Sequence, residues 1–171
     1  MKYPADVSID LAEQVASRLI KQGWTIALAE SCTGGLVSAT LTGLPGSSTW
    51  FERGYVTYSN QAKTECLGVP VELIESFGAV SESVARAMAE GVREQAAVNA
   101  GISITGVAGP TGGSPEKPVG TVCFGWAVSG DGSAVNTTTK TMHFGGDRQA
   151  VRVQACHYAL SEFLALLESV K

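Results

Sequence analysis

Histidine is nearly missing from this sequence: only His143 and His157 are present, fourteen residues apart. A multi-histidine metal centre is therefore not expected, and no cofactor or metal is predicted. Cysteine is sparse and scattered at Cys32, Cys66, Cys123 and Cys156, with no C-x-x-C pair and no zinc spacing. Isolated thiols without a framework predict a reduced, cytoplasmic protein. No apolar run reaches the roughly 18 residues of a membrane span, and the N-terminal "MKYPADVSIDLAEQ" lacks the apolar core of a signal peptide. Charge is also low. Only 16% of residues are charged, the net charge is −4, and no Lys/Arg run occurs, so an electrostatic grip on nucleic acid is not expected. So few charges on a 44% hydrophobic chain predict much buried surface and a subunit interface, hence a homo-oligomer, dimer or higher.

What is present is a pattern of alternating elements. The 171 residues suit one domain, 1–171, with an ordered core over about 10–168. Asp10 and Glu13 resemble a capping box, Leu11, Val15, Leu19 and Ile20 form a stripe, and Gly23 stops the helix. "TIALA" (25–29) and "GISIT" (101–105) are short apolar runs that predict buried strands. "LPGSSTWFERG" (44–54) reads as irregular and "YVTYS" (55–59) as strand, with Asn60 capping a helix over "QAKTECL". Pro70 suits a first helical turn, and Ser81 caps a helix with Val84, Ala85, Met88, Ala89 and Val92 on one face. Residues 120–130 and 134–144 predict a hairpin through "SGDGS", and Asp147 caps a last helix. This order predicts a three-layer α/β/α domain with a mixed, mostly parallel sheet and a C-terminal hairpin and helix.

In such sheets ligands collect at the carboxyl ends of the parallel strands. Three predicted strand ends carry polar groups: Glu30–Ser31, Tyr58–Ser59–Asn60 and Thr105–Gly106. Ser31 is either a helix N-cap or a nucleophile at the positive end of a helix, where backbone N–H groups can hold an oxyanion. Gly34 and Gly35 let a ligand come close to the backbone. Cys32 competes as nucleophile, since a thiol in a first helical turn can ionise easily. Lys63 is the nearest predicted base, because a first-turn position and partial burial both lower a lysine pKa; an ordinary surface lysine is the alternative. Tyr58 either passes a proton or orients that lysine, or simply packs on the sheet. "GVAGPTGG" is a weak phosphate signal, lacking the P-loop lysine. "GGDRQAVR" sets Arg148 at a helix start, which suits a phosphate or a plain surface arginine equally.

Five stretches taken together, "AESCTGG" (29–35), "GSSTWFERGYVTYSNQAK" (46–63), "GAVSE" (78–82), "SITGVAGPTGGSPEKPVGTV" (103–122) and "GDRQAVR" (146–152), closely resemble the CinA C-terminal domain family. Its stand-alone bacterial members are nicotinamide-nucleotide amidases. The resemblance implies hydrolysis of the carboxamide of nicotinamide mononucleotide to nicotinate mononucleotide and ammonia, without a metal, in pyridine nucleotide recycling. It implies Ser31 as nucleophile, Lys63 as its base and Tyr58 beside them. It places Glu30, Gly46, Ser48, Asn60, Thr105 and Arg148 in the substrate pocket. Their neighbours Thr33, Gly34, Ser47 and Gly106 complete the expected lining. A catalytically inactive relative, acting as a nucleotide-binding or competence- or damage-associated regulatory module, is the alternative.

Overall fold

The structure, a computed structural model, describes residues 8–129 and 134–169. Helix α1 (Ile9–Gln22) buries Ala12, Val15, Ala16 and Leu19, and Gly23 ends it with a positive φ of 64°. Ser8, not Asp10, occupies its N-cap position. The buried strand β1 (Ile26–Glu30) follows, then a tight turn over 31–35 and the short helix α2 (Leu36–Thr42). A single 3-10 turn at Ser47–Thr49 leads into β2 (Phe51–Val56). That strand starts four residues earlier than its sequence predicts. Its Glu52, Arg53 and Gly54 are exposed, so the apolar pattern that marks a buried strand is absent there.

Helices α3 (Asn60–Leu67), α4 (Val71–Phe77) and α5 (Glu82–Ala96) come next. Ser81 caps α5 by accepting from the Val84 amide, as its sequence predicts. For α3 the cap is Ser59, accepting from the Ala62 amide; Asn60 is one residue inside the helix. Strands β3 (Ala100–Gly106), β4 (Thr121–Ser129) and β5 (Val135–His143) and the long helix α6 (Arg148–Ser169) complete the fold. The predicted hairpin is β4–β5; most of its turn, residues 130–133, lies outside the described residues.

The sheet order is β2-β1-β3-β4-β5. β2, β1 and β3 are parallel, and β3, β4 and β5 pair antiparallel, so four of the five strands point the same way. One face packs Leu19, Leu28, Val37, Ile102, Phe124, Trp126, Leu160 and Phe163 among α1, α2 and α6. The other packs Ala27, Ala29, Leu67, Ile74, Val84, Met88 and Val92 beneath α3, α4 and α5. α5 lies close on the sheet because glycines face it: a Cβ on Gly101 would sit 2.4 Å from the Ala89 carbonyl oxygen, and one on Gly125 2.6 Å from that of Ala85. The result is the three-layer α/β/α architecture, with a mixed sheet in the middle and three parallel strands ending side by side.

Candidate active site

Strand register sets the site. Glu30 lies opposite Val56 on β2 and opposite Ile104 on β3. One step further, Ser31 therefore lies level with Thr57 and Thr105. The ladder continues through that step: Ser31 N–H donates to the Ile104 carbonyl, and Thr57 N–H to that of Glu30. Successive strand residues face opposite sides. Ala29 faces the α3–α5 layer, so Ser31 faces it too. There the buried Lys63 reaches across from α3. Its Nζ lies 3.2 Å from Ser31 Oγ, 2.9 Å from the Thr57 carbonyl oxygen and 3.5 Å from that of Tyr58.

Lys63 is only 1% exposed, and among the described residues no carboxylate pairs with it. Burial penalises its charged form and lowers its pKa below the usual 10.5. The largest cause is the loss of solvent around the ammonium. A neutral amine has two N–H bonds and one lone pair. With the two carbonyls taking the N–H bonds, the lone pair falls to Ser31 Oγ. Cys32 is different: burial pushes its thiol up to about 12, which leaves no useful thiolate at neutral pH. It is a packed small residue under the turn.

The turn itself is accounted for amide by amide. Glu30 is completely buried, and its carboxylate accepts from the amides of Gly35, Val37 and Ser38 and from Ser38 Oγ. The acid therefore caps α2, in the role expected of Ser31. It is turned beneath the helix, which corrects its predicted place in the substrate pocket. Gly34 N–H closes on the Ser31 carbonyl, and Leu36 N–H donates to that of Thr33. Among the described residues, the Cys32 and Thr33 amides have no backbone acceptor. Both directly follow Ser31, where a developing oxyanion would form.

A cavity of about 180 Å³ opens above Ser31. Cys32, Tyr58, Asn60, Lys63, Thr105, Gly106 and Arg148 line it, so the three strand ends do converge. Ala79, Val80 and Ala108 form apolar walls that the sequence reading did not assign. "GAVSE" was the available signal for the first two. Arg148 bridges the mouth, donating to the Gly109 carbonyl at 2.8 Å and the Tyr58 hydroxyl at 2.8 Å. The Tyr58 hydroxyl thus bonds to Arg148, and the residue is 58% exposed. Its direct contact with Lys63 is through the backbone carbonyl. Beyond Arg148 lies a second, larger groove of about 580 Å³, sharing Ala108 and Arg148 with the first. Asp147 stands in it, its carboxylate already capping α6 through the Ala150 amide.

Five expected lining residues lie outside this cavity. Gly46, Ser47 and Ser48 precede β2, and Ile26 at the start of β1 pairs with Phe51 at the start of β2. That loop is at the opposite end of the strands, about 15 Å from Ser31 at the rise of a parallel strand. Thr33 is buried on the far side of the turn, its carbonyl held by Arg152 at 2.8 Å. Gly34, with a φ of 59°, faces Arg152 as well, outside the cavity. Among the described residues there is no cluster of three His, Cys, Asp or Glu side chains able to hold a metal, and no helix is long and apolar enough to cross a membrane.

Fold and site define a class: a three-layer α/β domain with a buried serine–lysine pair at the carboxyl end of its parallel strands. The profile of the CinA C-terminal domain matches residues 8–167, and the chain belongs to that family. It is 48% identical over 162 residues to the nicotinamide-nucleotide amidohydrolase PncC of Enterobacter agglomerans, covering 95% of each chain. It is 49% identical over 156 residues to a CinA-like protein of Chlorobium phaeobacteroides, covering 91% of this chain but only 37% of that longer one. The crystal structure of the competence damage-inducible protein A from Klebsiella pneumoniae superposes with a TM-score of 0.90 at 36% identity, over 96% of this chain and 99% of that one.

Proposed function

We propose that this chain is a nicotinamide-nucleotide amidohydrolase, which converts nicotinamide mononucleotide and water to nicotinate mononucleotide and ammonia. The observation that carries this reading is the buried Lys63 Nζ, without a carboxylate partner among the described residues, 3.2 Å from Ser31 Oγ. A neutral lysine takes the Ser31 proton as Oγ bonds to the carboxamide carbon. The amides of Cys32 and Thr33 receive the oxyanion. The lysine then gives its proton to the amide nitrogen, the C–N bond breaks and ammonia leaves. A water attacks the resulting ester, passing a proton to Lys63. Lys63 returns it to Ser31 Oγ as the C–O bond breaks.

The pyridine ring suits the small cavity between Ala79, Val80 and Ala108, with Asn60, Thr105 and Gly106 on its polar side. Ribose and phosphate extend past Arg148 into the larger groove. Arg148 rather than the start of α6 takes the phosphate, because Asp147 already occupies that helix end. Tyr58 holds Arg148 in line. The open edge of β2, with Val56 53% exposed, and the exposed Val71 and Phe77 of α4 support a homo-oligomer, which sedimentation velocity checks. Four free thiols support the cytoplasm as its place.

The test is direct. Purified protein incubated with nicotinamide mononucleotide should release ammonia and nicotinate mononucleotide in equal amounts, unchanged after prolonged EDTA treatment. Release of free nicotinamide, or no turnover at all, would sink the reading. Arg148→Ala should weaken the mononucleotide far more than nicotinamide riboside; equal losses on both would remove Arg148 from the phosphate.

A further inference from the structure

Three hydroxyls stand in a row across β2, β1 and β3 at the level of the nucleophile: Thr57, Ser31 and Thr105. They share a face. On β2, Gly54 faces Ser38 of α2 while Tyr55 packs on the α3 side, so Thr57 falls on the Tyr55 side. Two of the three are engaged. Ser31 Oγ contacts Lys63, and Thr105 Oγ1 donates to the Ala79 carbonyl at 2.9 Å. Thr57 is 1% exposed, and among the described residues its Oγ1 has no partner. Its own carbonyl, however, accepts from Lys63 Nζ at 2.9 Å. A buried unpaired hydroxyl is costly, and valine would fill the same shape without that cost.

We infer that Thr57 is a positioning residue of the serine–lysine pair, its hydroxyl accepting from the Lys63 ammonium that forms when Ser31 gives up its proton. The inference rests on the proposed amidase reading. The two carbonyls at Lys63 can only accept and serve two N–H bonds. Protonation adds a third, at the moment Ser31 Oγ is being consumed as a nucleophile. The hydroxyl of the residue whose carbonyl Lys63 already contacts, on the face that Lys63 occupies, supplies the missing acceptor. Among the described residues no charged group is better placed. Glu30 is spent on α2, Cys32 is neutral, and Arg148 is held by Gly109 and Tyr58. Glu65 and Glu75 line the outer groove between α3 and α4, and Glu90 and Glu94 line the groove beyond Leu67.

The test compares Thr57→Val and Thr57→Ser with the parent. Lys63 is titrated by NMR of ¹³Cε-labelled lysine in the free protein, and ammonia release is followed against pH. In Thr57→Val the Lys63 midpoint should drop by about 0.5–1 pH unit, the acid limb should move with it, and kcat should fall about tenfold or more. Thr57→Ser should keep both. At a pH above the Lys63 midpoint, where the amine is neutral, Thr57→Val should melt no lower than the parent, since there it loses only an unpaired hydroxyl. An unchanged Lys63 midpoint in Thr57→Val, an equal shift in Thr57→Ser, or a lower melting temperature of Thr57→Val above that midpoint overturns the inference. Should the parent release no ammonia, the amidase reading fails, while the lysine titration still decides the part about Thr57.

Discussion

At the scale of single residues the site depends on one lysine kept from solvent. Neutral Lys63 is the useful form, so activity should rise with pH along a limb lying below the lysine's ordinary 10.5. Lys63→Arg keeps the charge but cannot lose its proton, and should be as inactive as Ser31→Ala. Near-parental ammonia release from either variant would remove that residue from the chemistry. The same burial has a stability consequence. Between the native and the unfolded pKa, the unfolded chain holds a proton that the native lysine has lost. Stability should therefore rise with pH through that window and carry the full penalty below it. Lys63→Met, apolar and of similar length, should be inactive yet melt higher at neutral pH, by about 2–4 °C for each kcal/mol recovered; calorimetry checks this. Cys32→Ala should keep kcat within a few-fold, because a thiol pushed to about 12 is no nucleophile.

At the scale of elements, α2 shows why a motif can be read correctly and its parts misassigned. The acid, hydroxyl and glycines of "AESCTGG" do build a strand-to-helix turn. A strand side chain cannot be both buried beneath the next helix and aimed at a ligand, and alternation sends Glu30 one way and Ser31 the other. Seven-residue α2 has Gly35 at its N-cap with no side-chain cap of its own, so Glu30 supplies its end. Glu30→Gln keeps the shape but leaves acceptor positions unfilled. It should cost about 1–3 kcal/mol and lower activity through displacement of Ser31. A thermal melt and a kcat measurement on one sample test both halves. If Glu30→Gln melts with the parent and instead raises KM alone, the acid belongs to the substrate after all.

At the scale of the whole molecule, the distance between Ser31 and Lys63 is set by how α3 docks. Gly91 of α5 is the contact: a Cβ there would lie 2.1 Å from the Leu67 carbonyl oxygen at the end of α3. Backbone cannot yield as a side-chain tip does. Gly91→Ala should therefore push α3 outward, costing about 1–3 kcal/mol by overpacking, and kcat should fall although residue 91 is remote from the pocket. A Gly91→Ala protein with parental turnover would show that Lys63 is not placed by this contact.

The sequence by itself determined the class of fold, because alternating buried strands and amphipathic helices leave few arrangements that bury both faces of a sheet. It also determined the chemistry on offer, since Ser31, Lys63, Thr105 and Arg148 sit at element ends where strand carboxyl termini and helix starts put them. Tertiary structure alone decided which of those groups meet. Register, invisible in a one-dimensional pattern, set Ser31 beside Thr57 and Thr105 and carried Gly46–Ser48 to the other end of the sheet. Burial, which depends on every layer at once, made Lys63 a poor cation and Cys32 a poor thiolate, and spent Glu30 on a helix end. Those outcomes follow from side chains far apart in the chain removing water from one another, and no local spacing encodes that.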